Sequence, residues 1–102
     1  MKKVINGRMY NTDTAKMLAD RTHGVWGNYN YAEEELYRKR NGEYFIRIYG
    51  QVLSPSLAWF DYQSGACDGH WFVPIDEKTA KAWGEENLDG DKYVELFGEV
   101  EE

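Results

Sequence analysis

The chain has 102 residues, 42% hydrophobic and 29% charged, with a formal net charge of −6 and one cysteine, Cys67. That is the length of one domain, its balance excludes a disordered chain, and a lone cysteine excludes an internal disulfide. The charge is divided: residues 1–50 hold nine Lys/Arg against six Asp/Glu, and residues 51–102 hold three against twelve, so the later half repels nucleic-acid and membrane phosphate and attracts basic surfaces.

From the start, Lys2-Lys3-Val4-Ile5 offers two lysines but an apolar run of only two residues, so neither a secretory leader nor a membrane span is expected and a cytoplasmic location follows. Asn6-Gly7 and Asn41-Gly42 both tolerate the positive φ angles of a type I′ turn, and each is predicted to close a tight hairpin. In the second hairpin a two-residue turn sets Arg40 opposite Glu43, Lys39 opposite Tyr44, Tyr37 opposite Ile46 and Glu35 opposite Ile48. Tyr37, Tyr44, Ile46 and Ile48 then share the core face. Leu36, Arg38, Phe45, Arg47 and Tyr49 share the other, which needs cover from a helix or a partner, and a homodimer through it is one way to supply that.

Between the hairpins, Thr12-Asp13-Thr14 offers capping oxygens, Ala15, Leu18 and Ala19 recur at helical spacing, and Gly24 ends the run. A helix over about 13–22 is predicted. Residues 24–31 are a loop by composition. Ser54-Pro55 can start a short helix carrying Leu57, Ala58, Trp59 and Phe60. Residues 63–69 read as loop, and Trp71-Phe72-Val73 as a short strand stopped by Pro74. Two helices close the chain, over about 77–88 with an inward stripe of Ala80, Trp83 and Asn87-Leu88, and over about 89–97 with Tyr93, Leu96 and Phe97 inward. The expected architecture is α+β in the order ββαββ(α)βαα: one small antiparallel sheet built from both hairpins plus a short strand, a helix between the hairpins and two C-terminal helices. It forms a single domain over 1–98, followed by an acidic tail over 99–102.

Bond-making chemistry finds little support. Cys67 and His70 stand at a metal-like spacing, but one cysteine and two histidines do not make a closed zinc site. Nothing orients His70 to activate Cys67 as a nucleophile. Asp89-Gly90-Asp91 lacks the alternating acids and terminal Glu of a calcium loop and reads as a helix cap. Glu33-Glu34-Glu35 and Glu85-Glu86 read as solvated acids rather than an acid/base pair across a cleft. No phosphate loop or nucleophile elbow is present. No enzyme activity, cofactor or metal is expected.

Binding is better represented. Trp26, Tyr29 and Tyr31 are rigid amphipathic rings spaced by Gly and Asn, the composition of a recognition loop. Arg38, Lys39 and Arg40 at the second hairpin tip, with Arg47 beside them, form the basic cluster that would clamp a nucleic-acid backbone. Glu77, Glu85, Glu86, Asp89, Asp91 and Glu95 lie on the two C-terminal helices, where they suit a partner with a basic surface.

Several pieces resemble a known group: Met1-Lys2-Lys3-Val4-Ile5-Asn6-Gly7 with Tyr10 and Thr14-Ala15, Glu34-Glu35-Leu36-Tyr37-Arg38, Gly42-Glu43-Tyr44-Phe45, Pro74-Ile75, Ala80-Lys81-Ala82-Trp83, Glu85-Glu86, and Phe97-Gly98-Glu99-Val100-Glu101-Glu102. The pattern resembles small proteins carried by phages, plasmids and conjugative elements of Gram-positive bacteria, some of which resemble type II-A anti-CRISPR proteins. The likeness covers most of the chain and is weakest over 50–70. It implies a non-enzymatic inhibitor acting in a bacterial host cell, its partner an RNA-guided CRISPR effector nuclease whose positive channel an acidic helix pair would occupy as a DNA mimic. The alternative is a small RNA- or DNA-binding module using Arg38, Lys39, Arg40 and the tyrosines.

Overall fold

A computed structural model describes residues 1–25, 31–50, 66–67 and 70–102. The fold is α+β. Strands β1 (Lys2–Ile5) and β2 (Arg8–Asn11) pair as a two-stranded antiparallel sheet of their own. A second antiparallel sheet holds β3 (Lys16–His23), β4 (Ala32–Arg38), β5 (Tyr44–Gly50), β7 (His70–Ile75) and the two-residue edge strand β6 (Ala66–Cys67), in the order β3-β4-β5-β7-β6. Helices α1 (Glu77–Asn87) and α2 (Gly90–Phe97) follow. The first hairpin is therefore a separate layer, where a single sheet was expected.

The two Asn-Gly turns differ. Asn6 and Gly7 have φ of 51° and 78°, as a type I′ turn requires, and Ile5 sits opposite Arg8. In the second turn only Gly42 has positive φ, at 91°. The Gly42 amide donates to the Lys39 carbonyl at 2.9 Å and the Lys39 amide to the Glu43 carbonyl at 2.7 Å. This is a type I turn followed by a glycine bulge, a three-residue loop. The extra residue slips the register by one from that expected, so Tyr37 faces Phe45, Leu36 faces Ile46 and Glu35 faces Arg47. Leu36 thereby joins Tyr44, Ile46 and Ile48, while Tyr37 moves to the side of Phe45.

The helix expected over 13–22 is not formed. Residues 16–23 are β3, an edge strand paired antiparallel with β4. The pairing satisfies the backbone of β4, whose Ala32, Glu34 and Leu36 are buried. A bulge between Met17 and Ala19 sets two residues against one, so the consecutive Leu18 and Ala19 both reach the core. That inward pair imitates a helical repeat. The capping role expected of residues 12–14 passes to Asn11, whose Oδ1 accepts from the Asp13 amide at 2.9 Å.

The strand expected to stop before Pro74 runs on to Ile75. Proline is tolerated because β6 pairs only with His70 and Trp71, leaving Pro74 where β7 is itself an edge among the described residues. The short helix expected near 54–60 lies outside the described residues.

Both faces of the larger sheet are covered from within. On one, Ala80 and Trp83 of α1 pack on Ala19, Leu36, Tyr44, Ile46, Ile48 and Val73. On the other, Ile5 and Tyr10 of the first hairpin pack on Tyr37, Phe45 and Phe72. Leu36 and Phe45 are both fully buried, on opposite faces. The face expected to need cover from a helix or a partner is thus covered within the chain, and the sheet has a core on each side.

Candidate protein-docking surface

Both C-terminal helices begin at an aspartate cap. Asp76 accepts from the Thr79 amide at 2.8 Å, and these hydrogen bonds hold its carboxyl below the ordinary range. Asp89 accepts from the Lys92 amide at 2.9 Å, and Asp91 stands in the first turn of α2, where the helix dipole favours it. Ala80, Trp83 and Gly84 turn α1 inward, which leaves its acids outside. Glu77, Glu85, Glu86, Asp89, Asp91 and Glu95 are all exposed. So are Asp76, Glu99, Glu101 and Glu102, which extends the layer beyond the six acids expected. Residues 76–102 thus present ten carboxylates against three lysines. Glu77 pairs with Lys81 at 3.5 Å and Glu95 with Lys92 at 3.3 Å; Glu85 and Glu86 make no ion pair among the described residues.

Within this layer the α1–α2 junction opens a groove of about 430 Å³. Leu88, Tyr93, Val94 and Val100 supply its apolar lining, Glu85 and Asp89 its acidic rim. Among the described residues no lysine or arginine lines it. Gly84 brings the helices together: a Cβ there would stand 2.9 Å from Phe97 Cε2 and 3.1 Å from Tyr93 Cδ2. Gly98, at φ 96°, then turns the tail so that Val100 returns to the groove. Only the helical spacing of Tyr93, Leu96 and Phe97 hints at this in the sequence.

A buried carboxylate fixes the layer to the sheet. Glu34, 3% exposed, accepts from Trp83 Nε1 at 3.3 Å and pairs with His23 Nε2. It does not belong with solvated acids, as the Glu33–Glu35 run suggested. Strand alternation sends Glu34 to the α1 side and Glu35 to the other.

The basic cluster is divided. Lys39 Nζ bonds Glu43 at 2.8 Å and lies 4.1 Å from the centroid of the Tyr10 ring; Arg8 bonds the same Glu43 at 2.7 Å. Hydrogen bonds from Lys39 and Asn41 hold the Glu43 carboxyl low. Arg38 lies 5.8 Å from the Tyr44 centroid on the α1 face, and Arg40 is exposed at the turn. Arg47 is on the opposite face, bonded to Glu35 at 2.6 Å and to His70 Nδ1. Burial pushes the Glu35 carboxyl up, but bonds from Arg47 and Tyr37 outweigh it and hold it below its ordinary value. Burial and the same Glu35 push the Tyr37 phenol up to about 12. Burial works against the Arg47 cation, yet Glu35 holds its pKa above the ordinary value.

Trp26 and Tyr29 of the expected recognition loop lie outside the described residues. Tyr31 is half-buried, and burial followed by the adjacent Glu33 raises its phenol. The His70 ring lies tilted beside Tyr49, ring centroids 4.9 Å apart. The side chain of Cys67 is outside the described set. Among the described residues no three His, Cys, Asp or Glu side chains converge to hold a metal, and no helix is long and apolar enough to cross a membrane.

Compared with family models, curated proteins and solved structures, the chain matches none.

Proposed function

We propose that the chain is a non-enzymatic binding protein whose acidic layer, formed by α1, α2 and residues 98–102, docks on a basic surface of another protein. One observation carries this reading. The ten carboxylates of residues 76–102 are exposed on the layer covering one sheet face, while Lys2, Lys3 and Arg8 belong to the hairpin covering the other. Such polarity orients an approaching basic partner, raises the association rate and makes it salt-sensitive.

The resemblance to mobile-element proteins narrows the partner to an RNA-guided nuclease in the bacterial cytoplasm. Its duplex channel is lined to receive backbone phosphates, and exposed helix carboxylates offer negative charge in their place. The test is target cleavage by a type II-A nuclease loaded with guide RNA, with the protein added at low and high salt. Inhibition by the native protein that is lost in a Glu85→Gln, Glu86→Gln, Asp91→Asn, Glu95→Gln variant supports the reading. Equal inhibition by both removes the acidic layer from it, and no inhibition by the native protein removes the nuclease. The nucleic-acid reading has less support, since Lys39 and Arg47 are engaged by Glu43 and Glu35. A gel shift that weakens on Arg38→Ala and Arg40→Ala would revive it.

A further inference from the structure

The α1–α2 groove does something a charged face alone cannot. Resting on the acidic-layer reading, we infer that it is the anchor point of the docking surface, and that it takes an apolar side chain from a lysine- and arginine-rich segment of the partner protein. Three features select that occupant. The lining of Leu88, Tyr93, Val94 and Val100 is apolar and open, Val100 being 62% exposed. Glu85 and Asp89 make its polar lining acidic, while Lys81 pairs with Glu77 and Lys92 with Glu95. The volume of about 430 Å³ falls within the roughly 300–1,000 Å³ of sites that enclose small ligands.

An anionic ligand such as nucleic acid or a phospholipid surface would meet Glu85 and Asp89 at the entrance and be repelled. A cationic segment without an anchor would satisfy the rim but leave the lining wet. A segment with one or two apolar side chains between basic ones satisfies both, and a buried anchor ringed by charge is how interface hot spots are built. The geometry also separates two contributions: the carboxylates set the rate and salt dependence of encounter, and the groove sets the lifetime.

The test uses the full chain and two fluorescein-labelled peptides of lysine and arginine, one with two central leucines and a twin with alanines there, followed by fluorescence anisotropy. The leucine peptide is expected to bind about tenfold or more tightly than the alanine peptide, the return expected for burying one such side chain. Val94→Ser with Val100→Ser, at positions outside both cores, should abolish that difference and leave the alanine peptide's affinity unchanged; circular dichroism checks that the variant is folded. Equal binding of the two peptides to the native protein overturns the groove inference and leaves the acidic-layer reading standing. Binding of neither at low salt overturns both. Self-association of the native protein in sedimentation equilibrium that the double variant abolishes overturns it too, because a second copy would then be the occupant.

Discussion

The two faces of the large sheet are sealed by different means. Under α1 the sheet offers Leu36, Ile46, Ile48 and Val73 beside the Tyr44 ring, and the fully buried Trp83 is set against them. Under the hairpin it offers rings: Phe45 lies 5.0 Å from Tyr37 and 5.8 Å from Phe72, both near-parallel, with Tyr10 edge-on at 5.5 Å. The hairpin is held by burial and shape, its Tyr10 meeting the sheet's ring stack edge-on. The helix-covered face also carries a polar contact, the Trp83 indole N–H donating to the buried Glu34 at 3.3 Å, beside the burial of Ala80, Trp83 and Gly84 that sets the rotation of α1. That rotation is what keeps Glu85 and Glu86 in solvent. The lesson is that packing covers both faces, and on the helix side a buried carboxylate of the sheet is met by the covering element itself.

The sharpest way to break the contrast is Trp83→Ala. It should cost about 3–5 kcal/mol in denaturant unfolding, from lost burial and cavity together. Trp83→Phe keeps most of the ring but removes the indole donor from Glu34 Oε1, leaving His23 on the other oxygen, and should cost about 1–3 kcal/mol. If the phenylalanine variant is as stable as the native protein, the indole bond adds nothing to the fold. Phe45→Leu probes the other face; with no buried polar group orphaned, a loss of about 1–2 kcal/mol is expected from ring contacts alone.

A smaller effect distinguishes the faces by pH. The Tyr37 phenol must be protonated to donate to Glu35, at 2.8 Å, and its folded pKa of about 12 lies above the ordinary 10.0. The stability it adds is therefore complete below pH 10 and lost as pH rises through about 12. Tyr37→Phe should flatten the stability profile across that window, and an unchanged slope would contradict the assignment. Smallest of all, Glu85→Gln and Glu86→Gln should each change stability by less than about 0.5 kcal/mol, since both side chains are exposed. A larger loss would make them structural rather than binding residues.

What the sequence conveyed follows from how local each signal is. The C-terminal helices were legible because their aspartate caps and inward residues lie within one turn of each other. The type I′ turn at Asn6-Gly7 was legible for the same reason. Strand β3 was not: it exists because β4 needs a neighbour, and its bulge disguises Leu18 and Ala19 as a helical pair. The β4–β5 register was not, because Asn-Gly serves both turn types and the one-residue difference depends on the whole hairpin. Glu34 was hidden by that slip, since among three adjacent glutamates only the register tells which one is inside. Composition announced the acidic layer, whereas the groove within it depends on a close approach at Gly84 and a turn at Gly98.

The most direct test of the account asks which face a cation meets. Backbone amide shifts of the ¹⁵N-labelled chain would be followed while the leucine-containing cationic peptide is added at low salt. The account predicts perturbations concentrated in residues 76–102, strongest around Leu88, Tyr93, Val94 and Val100 and fading as salt is raised. Perturbations centred on the hairpin over 2–11, or spread evenly over both faces of the sheet, would contradict it.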